Sequence, residues 1–217
     1  MEQIKIKLPG INDFFTQEAY KTLRTNLQFC GQDVKVIAFT SSGENEGKTT
    51  VSLHTAKSLA ELGKSVLFID ADMRKSVLAG RNTNAKNVFG LCEVLTGMNS
   101  VADCIYETQQ PRLHLMFAGK YPPNPVELLG GKYFAKLIEE ARNVYDYIII
   151  DTPPLGLVID AAVIAPHCDG TVLVVNCGKA RYRHVHEVVD QLERSGSKIL
   201  GVVRNNITQQ SKAYYKK

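Results

Sequence analysis

The sequence has no long apolar run, no closely paired cysteines and no strong charge of either sign. Its longest apolar stretches are of strand length, well short of the roughly 20 residues that cross a bilayer. The five cysteines include no C-x-x-C pair, which argues against a disulfide framework and a zinc site. The N-terminal MEQIKIKLPG has no apolar signal core. These absences predict a reduced, cytoplasmic protein that reaches a membrane only through a partner.

The net charge and the length further limit which kinds of protein this chain can be. A net charge of +4 is too small to indicate nucleic-acid binding, so we expect no nucleic-acid partner. A chain of 217 residues fits one α/β domain that can bury its own core. We see neither an internal repeat nor a low-complexity linker. The chain is therefore expected to fold as one unit.

Short apolar runs alternate with helical patterns along the chain. An extended arm reaches about Phe15, and the first helix, TQEAYKTLRTNLQF, is expected to have Thr16 as its N-cap. The apolar runs are VKVIAFT, SVLFIDAD, RLHLMFAG, DYIIIDTPP, GTVLVVNCG and KILGVVRNN. Apolar strands separated by helices predict a mostly parallel α/β sheet with helices on both faces. Ligands bind such sheets at the carboxyl ends of the strands.

The first strand end reads TSSGENEGKTT, with a strand before it and a helix after it. A phosphate loop (P-loop) has glycine, four residues and Gly-Lys-Ser/Thr, and here Ser42 takes the leading position. Loop N–H groups and the helix N-terminus would bind phosphate oxygens, Lys48 would reach the β- and γ-phosphates, and the Thr49 hydroxyl would bind Mg²⁺. The predicted nucleotide-binding segment comprises Ser42, Gly43, Glu44, Asn45, Glu46, Gly47, Lys48, Thr49 and Thr50.

Three further strand ends carry polar side chains. VLFIDADMR contains Asp70, Asp72 and Arg74. The period-two spacing of the two aspartates lets both carboxylates project from one side of the chain. One acid can lie near Mg²⁺ while the other accepts a proton from an attacking hydroxyl or water, and the residues do not decide which. YIIIDTPP ends in Asp151, as a Walker B strand does. VVRNN would bring Asn205, or its neighbour, toward a nucleotide base.

The conjunction of these motifs predicts one Mg·ATP site, although each motif alone could be a turn, an acidic loop or a capping aspartate. The predicted catalytic residues are Lys48, Asp70, Asp72 and Asp151. The predicted metal ligands are Thr49, Asp70, Asp72 and Asp151. Arg74 and Asn205 complete the predicted nucleotide contacts.

These motifs resemble the bacterial tyrosine kinases of capsule and exopolysaccharide assembly, and most closely their stand-alone cytoplasmic subunit from Gram-positive bacteria. The resemblance runs from EAYKTLRTN through the P-loop, FIDADMRKSVL, PPNPVELL and IIIDTPP to the ending SKAYYKK. D-x-D-x-R and D-x-P-P are its specific parts. It implies a P-loop NTPase-like fold, related to that of the partition and septum-placement ATPases.

The resemblance also implies an activity and partners. A kinase domain over residues 1–210 would use ATP and Mg²⁺ to phosphorylate Tyr214 and Tyr215 in the tail 211–217 of a neighbouring copy. Residues 1–30 would form an arm and an oligomerisation helix, with ring contacts from Glu18, Lys21 and Arg24. A transmembrane adaptor would activate the kinase at the inner face of the membrane, and a tyrosine phosphatase would oppose it.

Some residues depart from the family pattern, and other functions remain as alternatives. Glu44-Asn45 replaces the usual Pro-Gly of the loop, and lysine at 21 replaces an arginine. Tyr182 is expected to be a surface or packing residue. The main alternative is a switch ATPase that hydrolyses ATP and recruits partners. An iron–sulfur carrier would need a cysteine pair near the C-terminus, and a non-catalytic regulator would not need the intact acids.

Overall fold

The computed structural model describes residues 3–4, 11, 13–82 and 88–207, so the predicted phosphoacceptors Tyr214 and Tyr215 lie outside the described residues. The strands are β1 (Gln3–Ile4), β2 (Val36–Ser41), β3 (Val66–Asp70), β4 (Tyr106–Thr108), β5 (Leu113–Met116), β6 (Tyr147–Asp151), β7 (Gly170–Asn176) and β8 (Ile199–Asn205). The helices are α1 (Phe14–Phe29), α2 (Lys48–Glu61), α3 (Leu78–Asn82), α4 (Leu91–Leu95), α5 (Pro125–Leu129), α6 (Lys132–Arg142), α7 (Asp160–Ile164) and α8 (Tyr182–Arg194), with 3₁₀ turns at Val101–Cys104 and Ala165–His167.

The strands form one sheet in the order β1-β4-β5-β3-β6-β2-β7-β8. Every neighbouring pair is parallel except β4 and β5, which confirms the predicted mostly parallel sheet. β1 and β4 were not predicted, because strands of two and three residues are too short to show a periodic pattern. The six predicted strands are all present.

Helices cover both faces of the sheet, as predicted. Along β2, Ile37 and Phe39 pack with helix α2, whereas Val36 and Ala38 face the opposite layer, which contains α4 and α6. Successive side chains of a strand point to opposite faces, so a strand buried on both sides must be apolar throughout. All six residues of β2 are buried.

Helix α1 begins earlier than predicted, because its N-cap is Asp13 and not Thr16. The Asp13 carboxylate accepts the N–H of Thr16 at 2.9 Å, so Thr16 lies inside the first turn as a donor. The later helical pattern is interrupted at Gly130–Gly131, between α5 and α6, as the sequence suggested. In the described ranges, none of the helices combines the length and the apolar character needed to cross a membrane.

The topology gathers the predicted motifs at one place. β3, β6 and β2 are consecutive neighbours in the middle of the sheet, so their carboxyl ends lie side by side. The D-x-D-x-R segment follows β3, Asp151 ends β6, and the P-loop follows β2. The candidate site is therefore built where three central parallel strands end.

Candidate active site

The loop between β2 and α2 has the backbone geometry of a phosphate-binding loop. Gly47 has a φ of +85°, which glycine adopts without strain, and helix α2 begins directly after it at Lys48. A Cβ on Gly47 would also lie 2.0 Å from Asn205 Nδ2, so a side chain there would strain the backbone and displace the Asn205 amide. The amides of the first helical turn have no partners within the helix and are suited to bind an anion.

A buried carboxylate organises the start of this loop. Glu46 Oε2 accepts hydrogen bonds from the backbone N–H of Ser42 at 2.7 Å and of Gly43 at 2.9 Å, and Ser42 Oγ donates to Oε1 at 3.0 Å. Glu46 is only 3% exposed. Its carboxylate therefore turns to the loop's own backbone and braces it, a role that the sequence did not reveal.

The remaining loop residues lie nearer the surface. Glu44 is exposed and pairs with Lys75 Nζ at 3.2 Å, which joins the loop to the segment after β3. Asn45 is exposed with a φ of +59°, a left-handed conformation that asparagine tolerates better than most residues. Thr50, in the first turn of α2, is exposed as well. These residues form the outer rim of the candidate site.

Lys48, Thr49 and Asp151, which the sequence predicted to lie around one nucleotide, form one hydrogen-bonded network. Lys48 Nζ lies 2.8 Å from Asp151 Oδ1, and Thr49 Oγ1 donates to Asp151 Oδ2 at 2.6 Å. Ser52, one turn further along α2, donates to Asp151 Oδ1 at 3.2 Å. Lys48 and Asp151 are 6% and 1% exposed, so the pair lies in a low-dielectric environment. Removing either charge there would leave the other buried and uncompensated.

Asp70 brings a second carboxylate beside the first. It lies opposite Asp151 in the β3–β6 register and is 1% exposed. The N–H of Asp72 and the hydroxyl of Ser76 both donate to it. Burial, and then repulsion from Asp151, raises the pKa of Asp70 to about 7, although the Ser76 hydrogen bond and Lys48 act in the opposite direction. The site thus crowds two acids around one lysine.

Asp72 and Arg74 take different positions. Asp72 is partly exposed, and its Oδ1 accepts the N–H of Lys75 at 2.9 Å. Arg74 was predicted to contact the nucleotide, but its guanidinium donates two hydrogen bonds, of 2.8 and 2.9 Å, to Asp160. Asp160 is fully buried at the start of α7, so the pair ties the D-x-D-x-R segment to the chain that follows β6.

Asn205 reaches the P-loop from the edge strand β8. Its Nδ2 donates to the backbone carbonyl of Glu46 at 2.9 Å. The sequence placed Asn205 near a nucleotide base, and the contact found is with the loop itself. This hydrogen bond joins the edge of the sheet to the loop across 159 residues of sequence.

The predicted oligomerisation residues lie on α1. Lys21 Nζ pairs with Glu18 at 2.7 Å, and both side chains are about half exposed. Arg24 turns inward, and its guanidinium donates to the Ser58 carbonyl on α2 at 3.0 Å. Within the chain, Arg24 therefore holds α1 against α2.

Several residues of the site, among them Ser76, were not predicted. Ser52 could have been found, because it follows Thr49 by one helical turn and so shares its face. Asp160 could not, since it lies 86 residues beyond Arg74. Gly156 has no sequence signal either, although a Cβ there would lie 2.0 Å from the Ser42 carbonyl oxygen. Gly156 sets how closely the chain after β6 packs against the P-loop.

The donor set fits Mg²⁺ held together with phosphate. Thr49 and the acids Asp70 and Asp151 offer only oxygen ligands. Burial, and then the neighbouring Asp151 carboxylate, raises the pKa of Asp70, and a cation bound between the two acids would offset both effects. Across the described ranges, no three His, Cys, Asp or Glu side chains are grouped closely enough to hold a metal by themselves. Mg²⁺ commonly takes one or two carboxylates and completes its shell with substrate phosphates and water.

Comparisons with known proteins agree with this geometry. A family model described as an AAA domain matches residues 34–199. The tyrosine-protein kinase CpsD of Streptococcus agalactiae is 46% identical over 199 residues, which cover 92% of this chain and 87% of that protein. The kinase domain of the Escherichia coli tyrosine kinase ETK superposes with a TM-score of 0.80 at 32% identity, covering 88% of this chain and 77% of that one.

A cell-division ATPase is also similar, but less so. The septum site-determining protein MinD of Pyrococcus horikoshii, solved with Mg-ADP, has a TM-score of 0.66 at 26% identity and covers 80% of this chain and 71% of its own. The fold is therefore that of the P-loop NTPases shared by both groups. Because identity, coverage and structural similarity are all higher for the kinases, the chain belongs to the family of bacterial tyrosine-protein kinases.

Proposed function

We propose that this protein transfers the γ-phosphoryl group of ATP to tyrosine, chiefly to Tyr214 and Tyr215 in the tail of a neighbouring copy. The observation that carries the proposal is the meeting of Lys48, Asp70 and Asp151 at the ends of three adjacent strands. The relatives named as tyrosine-protein kinases at 46% and 41% identity support the reaction type.

The side chains divide the work of phosphoryl transfer. Lys48 and the P-loop amides hold the β- and γ-phosphates, and Thr49 and Asp151 would hold Mg²⁺, which offsets charge on the phosphate oxygens when bound. The phenolic oxygen forms a bond to the γ-phosphorus while the bond to the β-phosphate oxygen breaks, so ADP leaves. Because this transition state is loose, positioning and electrostatics supply most of the rate enhancement.

Asp70 and Asp72 are both available to accept the phenolic proton, and their different exposure to solvent indicates which of them does so. Asp70 is 1% exposed beside Asp151, whereas Asp72 is partly exposed at the rim. An incoming phenol, whose ordinary pKa is near 10, needs an acceptor that it can reach from outside. We therefore assign Asp70 to the metal side of the site and Asp72 to the phenol.

The wider assembly belongs to the same proposal. A kinase domain over residues 1–210 and a tail over 211–217 would act within a homo-oligomeric ring, with Glu18, Lys21 and Arg24 at its contacts. A transmembrane adaptor would hold and activate the ring at the inner face of the membrane, and a tyrosine phosphatase would reverse its action. The proposed role is control of capsular or exopolysaccharide polymerisation and export.

The test is mass spectrometry of the purified full chain after incubation with Mg²⁺ and ATP, with and without the cytoplasmic segment of a candidate adaptor. We expect phosphate on Tyr214 or Tyr215, none in Lys48→Met, and little in Asp72→Asn despite unchanged ATP binding. Lys48→Met removes the cation that holds the phosphates, whereas Asp72→Asn removes only the proton acceptor.

The alternative is a switch ATPase, which the structural similarity to MinD at 26% identity favours. Steady release of inorganic phosphate, with an unmodified tail in every sample, would establish that reading and reject the kinase proposal. Phosphate release and tail modification are measured in the same reaction, so one experiment separates the two functions.

A further inference from the structure

We propose that Tyr182 is a second phosphoacceptor of this enzyme, modified by another copy of the chain. The proposal rests on the proposed tail-directed activity. The residues around Tyr182 repeat the pattern of the tail: Lys179-Ala180-Arg181-Tyr182-Arg183 corresponds to Lys212-Ala213-Tyr214-Tyr215-Lys216. Both segments read Lys-Ala-x-Tyr followed by a basic residue. An active site that accepts one of these segments meets the same chemistry in the other.

Tyr182 is accessible. Its side chain is 79% exposed, and its ring neighbour is His186, with the ring centroids 4.2 Å apart. Within the described part of the chain, its hydroxyl makes no hydrogen bond. By contrast, Tyr121 is 60% exposed and its hydroxyl donates to the Ser76 carbonyl at 3.0 Å, while burial raises the pKa of Tyr20 to about 12. Tyr182 is thus a free nucleophile on the surface.

Tyr182 lies at the start of a helix, where a first turn can open toward an active site. Tyr182 is the first residue of α8, and the N-cap Arg181 is extended and makes no capping hydrogen bond through its side chain. The first turn of a helix frays most easily, since its amides lack partners within the helix. The segment before it, Cys177–Lys179, is exposed. The N–H groups of Lys179 and Ala180 donate to the Asn176 carbonyl, so this preceding turn stays in place while opening of the first helical turn presents Tyr182.

The charge around Tyr182 suits the candidate active site. Lys179, Arg181 and Arg183 are all exposed, and the ion pair of Arg183 with Glu187 at 2.9 Å lies in solvent, where it is weak. The candidate site holds Asp70, Asp72 and Asp151 beside Lys48 and would also hold the phosphates of ATP, which make it acidic when loaded. A basic tyrosine segment is therefore steered toward it.

The product would also be stabilised where it forms. A phosphotyrosine adds a charge of about −1.5 to −2 at neutral pH. At position 182 this charge would lie near the positive end of the α8 dipole, in a segment that also carries Arg181 and Arg183. The reaction is the same as at the tail: the Tyr182 oxygen bonds to the γ-phosphorus, ADP leaves, and the proton passes to Asp72 of the acting copy.

The test uses isotopically labelled Lys48→Met full chain as acceptor and unlabelled wild-type chain as enzyme, with Mg²⁺ and ATP. Mass spectrometry of the labelled peptides reports transfer in trans at each tyrosine. Tyr133 is the internal control, because it is 59% exposed in the first turn of α6 but stands in the sequence Gly-Lys-Tyr-Phe. A second acceptor carries Tyr214→Phe and Tyr215→Phe to remove competition from the tail.

We expect phosphate occupancy at Tyr182 to exceed that at Tyr133 at least about tenfold, and to rise in the tail-less acceptor. Replacing Arg181 and Arg183 with alanine should lower Tyr182 occupancy several-fold and leave the tail unchanged. Occupancy at Tyr182 no higher than at Tyr133 overturns this inference, whatever happens at the tail. An unmodified tail overturns the proposed function instead, so the two failures are distinct.

Discussion

Aspartates lie at both ends of the sheet's strands, partly buried or exposed where the strands begin and buried where they end, and the two sets differ in their partners. At the edge where the strands begin, Asp169 accepts the N–H groups of Lys35 and Val36 and a two-pronged ion pair from Arg142. Burial acts to raise the pKa of Asp169, but the Arg142 and backbone hydrogen bonds outweigh it and lower the pKa. Asp146 likewise accepts the N–H of Ser65 at 2.8 Å. These carboxylates are stabilised by local partners.

At the opposite end of the strands, two buried acids lie side by side. Asp70 and Asp151 share Lys48, and the pKa of Asp70 rises to about 7. An aspartate held by satisfied hydrogen bonds contributes to folding, whereas acids crowded together are held in place by the rest of the fold and await a ligand. The comparison separates aspartates that maintain the structure from aspartates that act on a substrate.

The largest expected effect comes from removing one aspartate from each edge. Asp151→Asn should lower phosphoryl transfer by about 100- to 1,000-fold, because the group beside Lys48 and Thr49 acts on the phosphates. Asp169→Asn should cost about 1–3 kcal/mol of unfolding free energy through weakened hydrogen bonds, with transfer within about twofold of wild type. Initial rates per folded molecule measure phosphoryl transfer, and urea denaturation measures the free energy of unfolding. Equal losses of activity in both variants would refute the separation.

A smaller effect is expected from a glycine at the active-site edge. A Cβ at Gly156 would lie 2.0 Å from the Ser42 carbonyl oxygen, so Gly156→Ala must separate the P-loop from the chain after β6. We expect ATP to bind about tenfold more weakly, which corresponds to roughly 1.4 kcal/mol.

Gly201→Ala is the matched control, since nothing lies within 4 Å of its added Cβ. It should bind ATP as wild type does. Titration calorimetry in Mg²⁺ measures both affinities, and unchanged binding by Gly156→Ala would show that the loop does not depend on this contact.

The brace inside the loop should have a more modest influence. Glu46→Ala removes the acceptor for the amides of Ser42 and Gly43, so the loop loses its preorganised shape and ATP affinity should fall about three- to tenfold. Glu44→Ala, two residues earlier, removes only an exposed ion pair with Lys75 and should change affinity less than twofold. Equal effects from the two changes would contradict the bracing role of Glu46.

The smallest effect is a pH dependence at the strand-start edge. Because the folded-state pKa of Asp169 is lowered, its contribution to stability is present above the ordinary aspartate pKa near 3.9 and is lost as pH falls through the folded value. Asp169→Asn should therefore be less sensitive than wild type to acid below about pH 4. Thermal unfolding across pH 2.5–7 compares the two proteins, and parallel curves would exclude Asp169 as the source.

Much of the active-site edge could be predicted, because its chemistry lies in contiguous segments. Lys48 and Thr49 follow a strand and open a helix, and Asp70 and Asp151 each end an apolar run. The bracing role of Glu46 was missed, since it depends on how the loop folds back on its own amides. Asp160 was missed because its partner Arg74 lies 86 residues away.

The sequence alone predicted the fold class, the strand ends that carry polar side chains, and the family. Each of these depends on neighbouring residues and on the periods of strands and helices. Long-range packing was needed for the rest. The strand order places Asp70 beside Asp151, burial makes those two acids compete for one lysine, and the close approach of Gly156 sets the P-loop. A pKa and a van der Waals contact depend on every neighbour in space, and no local stretch of sequence contains those neighbours.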